Sequence, residues 1–556
     1  SHVKGLSARA PQYNQDGTLV VVTKPSLKEE AYFGDSYSLE LNAAYTQTFA
    51  EKHTIDAKAV FTVSENNGSY FWASRKDYLS ATVDQLFAGS SIGMQNSGNS
   101  DEGGRMGLVG RLKYDFDSRY YIEGSFRYDG SDNFAPGHRW GFFPSVALAW
   151  DITEEPFFKN LNLKNVNLLK LRGSYGQTGT ESGVNRFGYL STYSLAENAI
   201  CIGGNLQSGF NEGALVSPEL LSWYTRNSLN YGIDVAFFNH RLKGSADYFF
   251  YVTKGGLVSP ADRYVVPLGT ALPQIKSENE HRREGFEASL RWDDKIGSGF
   301  YYEVGTNMTY YNNLYVKNQG EALSDLKNPY KRSTHQTDYY GIMYMDNGLY
   351  QTPEQVLGVP RRLQSSATKL GDIAYEDING DGKIDGEDQI RWGMPSAPHF
   401  TYGFDFVLGY KGFTLSGLLY GTGKRNMEFG VTTKKNEAIW VLNDYQLDYW
   451  REDNRDATFP RISLEALPNG SNNQAASTFW VKNASFLRLK NLTLEYDFKY
   501  KLLRNVKWLS TCRANITGAN LFTISNVMDY FDPETTSTNG GYPVQRVYSL
   551  GVTIGF

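Results

Sequence analysis

The sequence predicts an all-β protein, a transmembrane antiparallel β-barrel of the outer-membrane type. Three observations in the 556-residue chain predict it: polar and apolar residues alternate with a period of two, aromatic residues reach 15%, and short turns alternate with long connections. The sequence has no apolar stretch of ~18 residues or more, which excludes a membrane protein built from spanning helices. The hydrophobic share of 40% also excludes a disordered chain, because so much apolar surface buries itself.

Charge and cysteine content exclude two further classes. The chain has 55 Lys and Arg against 60 Asp and Glu, a formal net charge of −5 at pH 7. Nucleic-acid binding needs clustered positive charge, so we expect no nucleic-acid partner. The two cysteines, Cys201 and Cys512, lie far apart in the sequence, which excludes a disulfide framework and leaves open whether they pair.

The clearest β-hairpin lies between residues 106 and 128. Apolar and aromatic residues occupy alternate positions of 106–116, and charged residues such as Arg111 fall between them. A two-residue turn, Asp117-Ser118, separates this strand from a second alternating run over 120–128. Each strand therefore has one apolar face and one charged face, which is typical of a β-strand with a different environment on each side.

The same pattern recurs along most of the chain. It flanks Asn239-His240, and it appears at 286–292 with 300–310 and at 402–410 with 413–419. We count about fifteen strands of roughly 9–14 residues, the length expected of tilted transmembrane strands.

The first and last strands are the most informative. The first recognisable strand lies near Tyr37–Tyr45, and the last, Tyr548–Phe556, alternates up to the final residue. A strand that ends at an aromatic terminal carboxylate resembles the C-terminal signal of bacterial outer-membrane barrel proteins. An ordinary C-terminal edge strand is the alternative.

Connection lengths alternate in the same way. Tight turns fall near 50–53, 117–118, 239–240, 294–298 and 411–412. Long connections fall near 66–103, 179–221, 256–281, 313–399, 423–483 and 525–543. Short periplasmic turns and long extracellular loops are typical of an outer-membrane barrel. The alternative is a soluble sandwich or propeller, whose strands also alternate but average ~5–6 residues.

Short motifs follow one another in order from about residue 105 to the end. They lie at Arg127–Ser131 with Arg139–Ser145, Leu169–Gly179, Gly371–Asp385, Phe486–Asn491, Asn520–Thr523 and Asp532–Glu534. This ordered set resembles the SusC/RagA family of TonB-dependent outer-membrane transporters. The resemblance implies import of an oligosaccharide or oligopeptide across the bacterial outer membrane, together with a SusD-like surface lipoprotein. TonB would supply energy through a plug that this sequence does not contain, and outer-membrane lipid would surround the barrel.

The resemblance also implies a barrel of ~22 strands with a plugged lumen. We therefore expect residues 1–556 to be the C-terminal portion of such a barrel, because an odd number near fifteen cannot close and open edges are costly in lipid. Residues 1–35 would then lie mostly in an extracellular loop. Two alternatives remain open: a soluble secreted calcium-stabilised β-protein that binds carbohydrate, and a surface adhesin built on a barrel.

One segment has the spacing of a calcium loop. Its candidate ligands occupy loop positions 1, 3, 5, 7, 9 and 12 and are Asp377, Asn379, Asp381, the carbonyl of Lys383, Asp385 and Asp388. Ca²⁺ takes 6–8 oxygen ligands, Gly382 permits the sharp turn, and Ile384 would anchor the loop by packing. We expect a structural Ca²⁺ in the 313–399 loop. The alternative is an acidic turn, because Asn-Gly and Asp-Gly form turns without a metal.

The sequence carries no motif of catalysis, so we do not expect an enzyme. Its seven histidines form no metal-ligand pair, and no glycine-rich phosphate loop is present. Aromatic clusters at Tyr70–Trp72, Trp223–Tyr224 and Trp440–Trp450 suit either ligand contact, an interfacial belt or packing between loops. Residues 437–450 have the spacing of a short loop helix.

Overall fold

The structure is a computed structural model that describes residues 25–79, 82–213, 221–258, 275–297, 299–358, 368–428, 447–462, 472–527, 531–535 and 544–556. Short strands at 2–7, 12–13, 19–21 and 361–362 are described by their backbone. Among the described residues, no helix is both long enough and apolar enough to cross a membrane.

Fifteen long strands form one antiparallel sheet in the described part of the chain. They are β1 (Ser26–Phe49), β2 (His53–Arg75), β3 (Gln95–Phe116), β4 (Tyr120–Ser131), β5 (Trp140–Asp151), β6 (Val166–Thr180), β7 (Tyr224–Phe237), β8 (Leu242–Lys254), β9 (Glu280–Ile296), β10 (Phe300–Lys317), β11 (Phe400–Tyr410), β12 (Phe413–Gly423), β13 (Phe486–Asp497), β14 (Thr511–Ala519) and β15 (Val547–Gly555). Three short strands, His2–Ser7, Gln336–Thr337 and Thr523–Ser525, complete an 18-stranded sheet. The predicted all-β barrel architecture, with about fifteen long strands, is confirmed.

Each long strand pairs with the next one along the chain. This holds even across the longest connections, because β10 pairs with β11 in a continuous register and β6 pairs with β7 with one irregularity, between Ala236 and Phe237. At the ends of the sheet, β1 pairs with β2 and, at its top, with His2–Ser7, whereas β15 pairs with β14. In the described part of the chain no register joins β1 to β15.

The tight turns lie where the sequence predicts them. Asp117 and Ser118, with φ of +57° and +55°, form the two-residue turn between β3 and β4. Lys411 and Gly412 do the same between β11 and β12, with φ of +47° and +88°. Two central residues with positive φ match the twist of the flanking strands, which is why such turns connect hairpins tightly.

The first strands are longer than the sequence predicts. β1 begins at Ser26, not near Tyr37, so the expectation that residues 1–35 form a loop is wrong for the last ten of them. The predicted loop at 66–103 is also too long, because β2 continues to Arg75 and β3 begins at Gln95. Above the membrane both faces of these strands contact water, so the hydrogen-bonded ladder continues while the hydrophobic alternation stops.

An apolar band on one face marks the membrane-spanning part. In β2 the apolar face runs from Ile55 to Val63, and the next positions on that face, Glu65 and Asn67, are polar. Aromatic rings contact one another across neighbouring strands at both ends of the band. At the turn end these pairs are Phe116–Tyr120 and Phe413–Tyr496, and at the loop end they are Tyr128–Trp140 and Phe286–Tyr310. Two aromatic girdles around an apolar band about 25 Å tall are typical of outer-membrane barrels.

The opposite, polar face is the lumenal one. Three segments that connect strands fold back onto it: Glu181 pairs with Arg105 of β3, Asp338 with Asn313 of β10, and Asp532 with Arg488 of β13. In an outer-membrane barrel the outward face contacts lipid, so segments that fold back onto the sheet cover its lumenal face. Phe126, Leu242 and Val552 therefore lie on the outward face, and Arg127, Lys243 and Thr553 on the lumenal face, as the alternation predicts.

The connections at the loop end contain further short elements. Paired strands are Gln12–Tyr13 with Leu19–Val21, Tyr193–Ile202 with Asn205–Glu212, Leu257–Val258 with Ile275–Lys276, Gly341–Tyr344 with Gln389–Trp392, Asp346–Leu349 with Ile373–Tyr375, Arg361–Arg362 with Lys383–Ile384, and Asn426–Glu428 with Val481–Asn483. The described α-helices are Pro156–Asn160, Leu323–Lys327 and Pro353–Leu357, of which the first lies at the turn end. Short 3₁₀ turns occupy Leu86–Ala88, Ile152–Glu154, Gly386–Asp388, Asn472–Gln474, Thr478–Trp480 and Phe498–Tyr500. The predicted helix at 437–450 falls mostly outside the described residues.

Candidate functional site: the extracellular end of the lumen

The lumenal wall at membrane depth is built from ion pairs that cross strands. Arg172 of β6 binds Asp234 of β7 and Asp247 of β8, with four N···O distances of 2.8–2.9 Å. Gly232 lies between these side chains, and a Cβ there would sit 2.5 Å from the Asp247 carboxylate and 2.6 Å from the Arg172 guanidinium carbon. Glycine at this position therefore allows the guanidinium to lie flat against the sheet.

Similar pairs recur around the wall. Arg111 pairs with Asp56 at 3.0 Å, and Arg291 pairs with Glu303 and, at 3.1 Å, with Asp405. Each of these side chains is partly exposed, as expected of a face that contacts water. The alternating charged residues therefore line an aqueous lumen, and their charges are mutually neutralised at this depth.

The charge balance changes above the apolar band, at the loop end of β7 to β10. Here a cavity of about 260 Å³ opens on the lumenal face. Two cross-strand rows of seven residues line it: Arg226, Thr253, His281 and Tyr315, and below them Tyr251, Arg283 and Asn313. Arg282, which pairs with Glu284 at 2.6 Å, also lines the cavity. None of the residues that line this cavity is acidic. We refer to these seven residues as the basic cleft.

Tyrosine rings hold the guanidinium groups of the basic cleft in place. The guanidinium carbon of Arg226 lies 5.5 Å from the Tyr251 ring centre, and that of Arg283 lies 4.6 Å from the Tyr311 ring centre. Nε of Arg283 also donates to Oδ1 of Asn313 at 2.6 Å. In the described part of the chain, neither arginine has a carboxylate within ion-pair distance.

A third guanidinium reaches the basic cleft from a loop. Arg391 lies on the Gln389–Trp392 strand, 3.7 Å from the Tyr339 ring centre and 5.9 Å from that of Tyr315. Its Nη2 is buried and has no hydrogen-bond partner among the described residues. Arg226 and Arg283 of the basic cleft and the neighbouring Arg391 therefore come from three separate elements.

Two histidines border the basic cleft. His281 packs edge-on against Tyr315, with ring centres 4.5 Å apart, and burial lowers the pKa of His281. His399 lies 3.1 Å from Asp338, which also accepts from Asn313 at 2.7 Å. Burial raises the pKa of Asp338, but the hydrogen bonds from His399 and Asn313 outweigh burial and leave the pKa below its usual value.

A second cavity, of about 430 Å³, lies on the lumenal face of β2 to β6. Arg105, Arg127 and Asp129 line it, and Trp223 and Phe143 close one side with ring centres 5.5 Å apart. Arg127 pairs with Asp129 at 3.0 Å. This cavity is therefore closer to electrical neutrality than the basic cleft.

The buried core of the chain lies in the loops above the lumen. Ile373, Tyr375, Ile384, Met427, Phe459, Trp480, Ala484 and Val527 pack into one apolar cluster from three separate connections. Asn473 ties two of these connections together, because its Oδ1 accepts from the Ile373 amide at 3.0 Å and its Nδ2 donates to Asp372 at 3.0 Å. Arg461 pairs with the same buried carboxylate of Asp372 at 2.7 Å. We call this assembly the loop body.

The predicted calcium loop lies on the surface of the loop body. Ile384 is buried in the apolar cluster, as the sequence predicts. Asp377 accepts from the amides of Gly380 and Gly382 at 2.7 and 2.9 Å, and Asn379, Asp381 and Asp385 each accept from the amide two residues further on. The Lys383 amide is the donor to Asp381.

Asp388, the last candidate ligand, points inward. It is fully buried, and its two oxygens accept from the amides of Ile378, Asn379 and Asp385 at 2.8–3.4 Å. Within the described ranges no three His, Cys, Asp or Glu side chains are gathered as a metal site. These hydrogen bonds contribute to the fold of the loop, and the calcium ion stays a prediction.

The aromatic clusters singled out in the sequence have several roles. Tyr70 donates to Glu30 at 2.6 Å, and Trp72 contacts Lys28, both in the projecting part of β1 and β2. Trp223 donates to the Arg139 carbonyl at 2.9 Å. Trp450 is buried in the loop body and donates to Gln351 at 3.0 Å, whereas Trp440 lies outside the described residues.

Sequence reasoning missed the basic cleft. Its arginines and tyrosines occupy the same alternate positions as the lumenal residues of their strands. The alternation in the sequence therefore predicts that they share the lumenal face. The sequence does not predict that these residues lie close together in space. Arg226, Arg283 and Arg391 are far apart in the sequence, and only strand register and loop folding bring them near one another.

The fold and the lumen together define the class of protein: an outer-membrane β-barrel with an aqueous interior and folded extracellular loops. The chain belongs to the TonB dependent receptor-like, beta-barrel family, whose model matches residues 5–521. The resemblance to SusC/RagA proteins is confirmed by the relatives below, and the chain resides in the outer membrane.

Curated relatives agree with this family. The chain is 26% identical over 521 residues to TonB-dependent receptor P3 of Formosa agariphila, an alignment that covers 88% of this chain and 49% of the relative. It is 27% identical over 465 residues to TonB-dependent receptor SusC of Bacteroides thetaiotaomicron, covering 80% of this chain and 43% of SusC. The chain therefore spans about half the length of these relatives.

Solved structures share the fold. The RagAB peptide importer in its open-open state has a TM-score of 0.78 at 21% identity, covering 100% of this chain and 58% of that chain. The closed-closed state of the same importer has a TM-score of 0.74, covering 100% of this chain and 59% of that chain. The expectation that the chain is not an enzyme is confirmed by its family of receptors and transporters. The soluble secreted alternative is wrong, because the family is one of outer-membrane barrels.

Proposed function

We propose that this chain forms most of the barrel wall of a TonB-dependent importer. In this proposal, strands outside the chain complete the barrel towards ~22 strands, and a plug outside the chain couples the lumen to TonB. The observation that carries the proposal is the continuous polar lumenal face, which runs from the ion-pair layer up to the basic cleft beneath the loop body. A purely structural barrel needs no cavity lined with unpaired cationic groups.

The proposed substrate is an oligosaccharide or an oligopeptide. SusC and the RagAB peptide importer, the relatives named above, support this pair of classes by their names. The proposed partner is a SusD-like surface lipoprotein that covers the extracellular mouth, next to the loop body. The surface-adhesin alternative predicts no uptake at all.

Uptake by the native bacterium tests this proposal. Cells with and without the full-length gene are given fluorescent oligopeptides and oligosaccharides, and internal fluorescence is measured with and without a protonophore. We expect uptake that requires both the gene and the proton gradient. Binding at the surface without uptake would favour the adhesin instead. Mass spectrometry of the purified native complex tests for the companion lipoprotein.

We also propose a structural Ca²⁺ in the 377–388 loop. The one-to-twelve spacing of its oxygen-bearing residues and the anchoring of Ile384 support it. The role would be to stiffen the loop body, since the loop lies away from the strand ladder.

A further inference from the structure

We infer that the basic cleft binds carboxylate groups of an acidic oligopeptide as it enters the lumen. The inference rests on the proposed import function and names the chemistry of the substrate. It depends on Arg226, Arg283 and Arg391, which three separate elements bring to one place above the membrane.

The basic cleft differs in charge from the rest of the lumenal wall. Elsewhere on the lumenal wall the arginines have carboxylate partners: Arg172 has two, and Arg291 has two. In the described part of the chain the arginines of the basic cleft have none. Two carboxylates near the cleft are already engaged: Asp338 binds Asn313 and His399, and Glu284 pairs with Arg282. The cleft therefore has a net positive charge that a ligand can neutralise.

The positions of the guanidinium groups also suit a carboxylate ligand. A guanidinium binds a carboxylate best through two parallel N–H groups that lie in one plane. Tyr251, Tyr311 and Tyr339 each have a guanidinium carbon within about 6 Å of the ring centre, and this contact restricts where the guanidinium can lie. Arg391 even keeps a buried Nη2 without a partner among the described residues. An unpaired donor of this kind is costly unless a ligand satisfies it.

The side chains that line the basic cleft suit a peptide better than a sugar. Proteins bind sugar rings largely by stacking them on exposed aromatic faces. In the basic cleft the tyrosine rings already have an arginine or, at Tyr315, a histidine against them. Thr253 lines the same cavity and offers its hydroxyl to a peptide backbone. These features favour an extended acidic peptide over a stacked sugar chain.

Binding to the intact transporter in detergent tests the inference. The first probe is a fluorescent peptide in which Glu alternates with Ser, the second has Gln in place of Glu, and the third is a labelled oligogalacturonate. We expect the Glu peptide to bind at least about tenfold more tightly than the Gln peptide at low ionic strength, because charge-assisted hydrogen bonds carry the difference. Equal affinities for the two peptides would overturn the inference. Tighter binding of the oligogalacturonate would overturn the peptide assignment.

Variants locate the site. Arg226→Gln with Arg283→Gln should weaken binding of the Glu peptide by roughly tenfold or more and leave the Gln peptide unaffected. Arg241→Gln is the matched control, because Arg241 lies at the turn end of the same sheet, paired with Asp294 at 2.8 Å. Arg226→Lys with Arg283→Lys keeps the charge and should give an intermediate affinity, and it also reports whether the barrel tolerates change here. An unchanged affinity in the Gln variant would overturn the inference.

Uptake assays on the same variants keep this inference separate from the proposed function. If the Gln variant still imports neutral peptides but no longer prefers acidic ones, both stand. If the wild-type protein imports peptides with no preference for acidic ones, the inference fails and the import function stands. If the wild-type protein imports nothing, the proposed function fails.

Discussion

At the scale of single residues, the lumen depends on pairs that require both partners and the space between them. The Arg172 bridge lies flat only because Gly232 has no side chain. A residue with no side chain is thus as important to the ion pair as its charged members.

We predict that Gly232→Ala destabilises the barrel by about 1–3 kcal/mol, because the new Cβ would overlap the Arg172 and Asp247 side chains. The temperature at which the folded band is lost on semi-native electrophoresis measures the effect. Gly124→Ala is the control, since a Cβ there would have no heavy atom within 4 Å. Equal loss in both variants would mean that the bridge contributes nothing specific.

A second prediction at this scale concerns the loop body. Asn473→Ala removes a buried side chain that satisfies one backbone amide and one carboxylate, at a cost of about 1–3 kcal/mol for each group left unpaired. We expect faster cleavage of residues 341–392 by protease while the strands stay folded. Asn67→Ala, on an exposed strand position, should leave cleavage unchanged.

The calcium loop gives a third prediction, and the hydrogen bonds decide how to test it. Asp377→Ala with Asp381→Ala removes acceptors for loop amides and should loosen the loop whether or not a metal binds. Removal of Ca²⁺ by a chelator is therefore the experiment that shows whether a metal binds. If Ca²⁺ is bound, a chelator should speed proteolysis of the wild-type loop, and excess Ca²⁺ should reverse the change. A wild-type loop indifferent to both would show that it is only a turn.

At the scale of elements, the sequence predicts strands well wherever the two faces of the sheet meet different solvents. Residues 106–116 alternate because one face meets lipid and the other water. Above Val63 both faces meet water, so the upper halves of β1 to β3 carry no such pattern and were predicted as loop. The loop body was missed for a related reason. Ile373, Met427 and Trp480 pack together from distant connections. Contacts of that kind leave no repeating pattern in the local sequence.

The same reasoning applies to the candidate site. The alternation of residues along β7 and β9 is enough to assign Arg226 and Arg283 to the lumenal face, so this part of the site is predictable from the sequence. Register across four strands and the fold of a distant loop bring Arg391 beside them, and those depend on long-range pairing. The chemistry of the wall was thus predictable, and the place where charge accumulates was not.

At the scale of the whole molecule, the described sheet has two edges, at β1 and β15. We predict that cysteines placed at Asn42 and Thr553 do not cross-link in the native outer membrane, because other strands of the intact barrel would pair with these edges. A control pair at Asn42 and Val60, which face each other in the β1–β2 register, should cross-link. Efficient cross-linking between positions 42 and 553 would show that these fifteen strands close on themselves.

The barrel fold requires the apolar face to meet lipid and the charged face to meet an aqueous lumen. Spin labels at Phe126, Leu242 and Val552, and at their neighbours Arg127, Lys243 and Thr553, test it in the intact protein reconstituted in lipid. Relaxation by dissolved oxygen reports lipid contact, and relaxation by a water-soluble nickel chelate reports contact with water. We predict strong oxygen access at the first three positions and strong chelate access at the other three. The reverse pattern would contradict the account of the barrel, its lumen and the site within it.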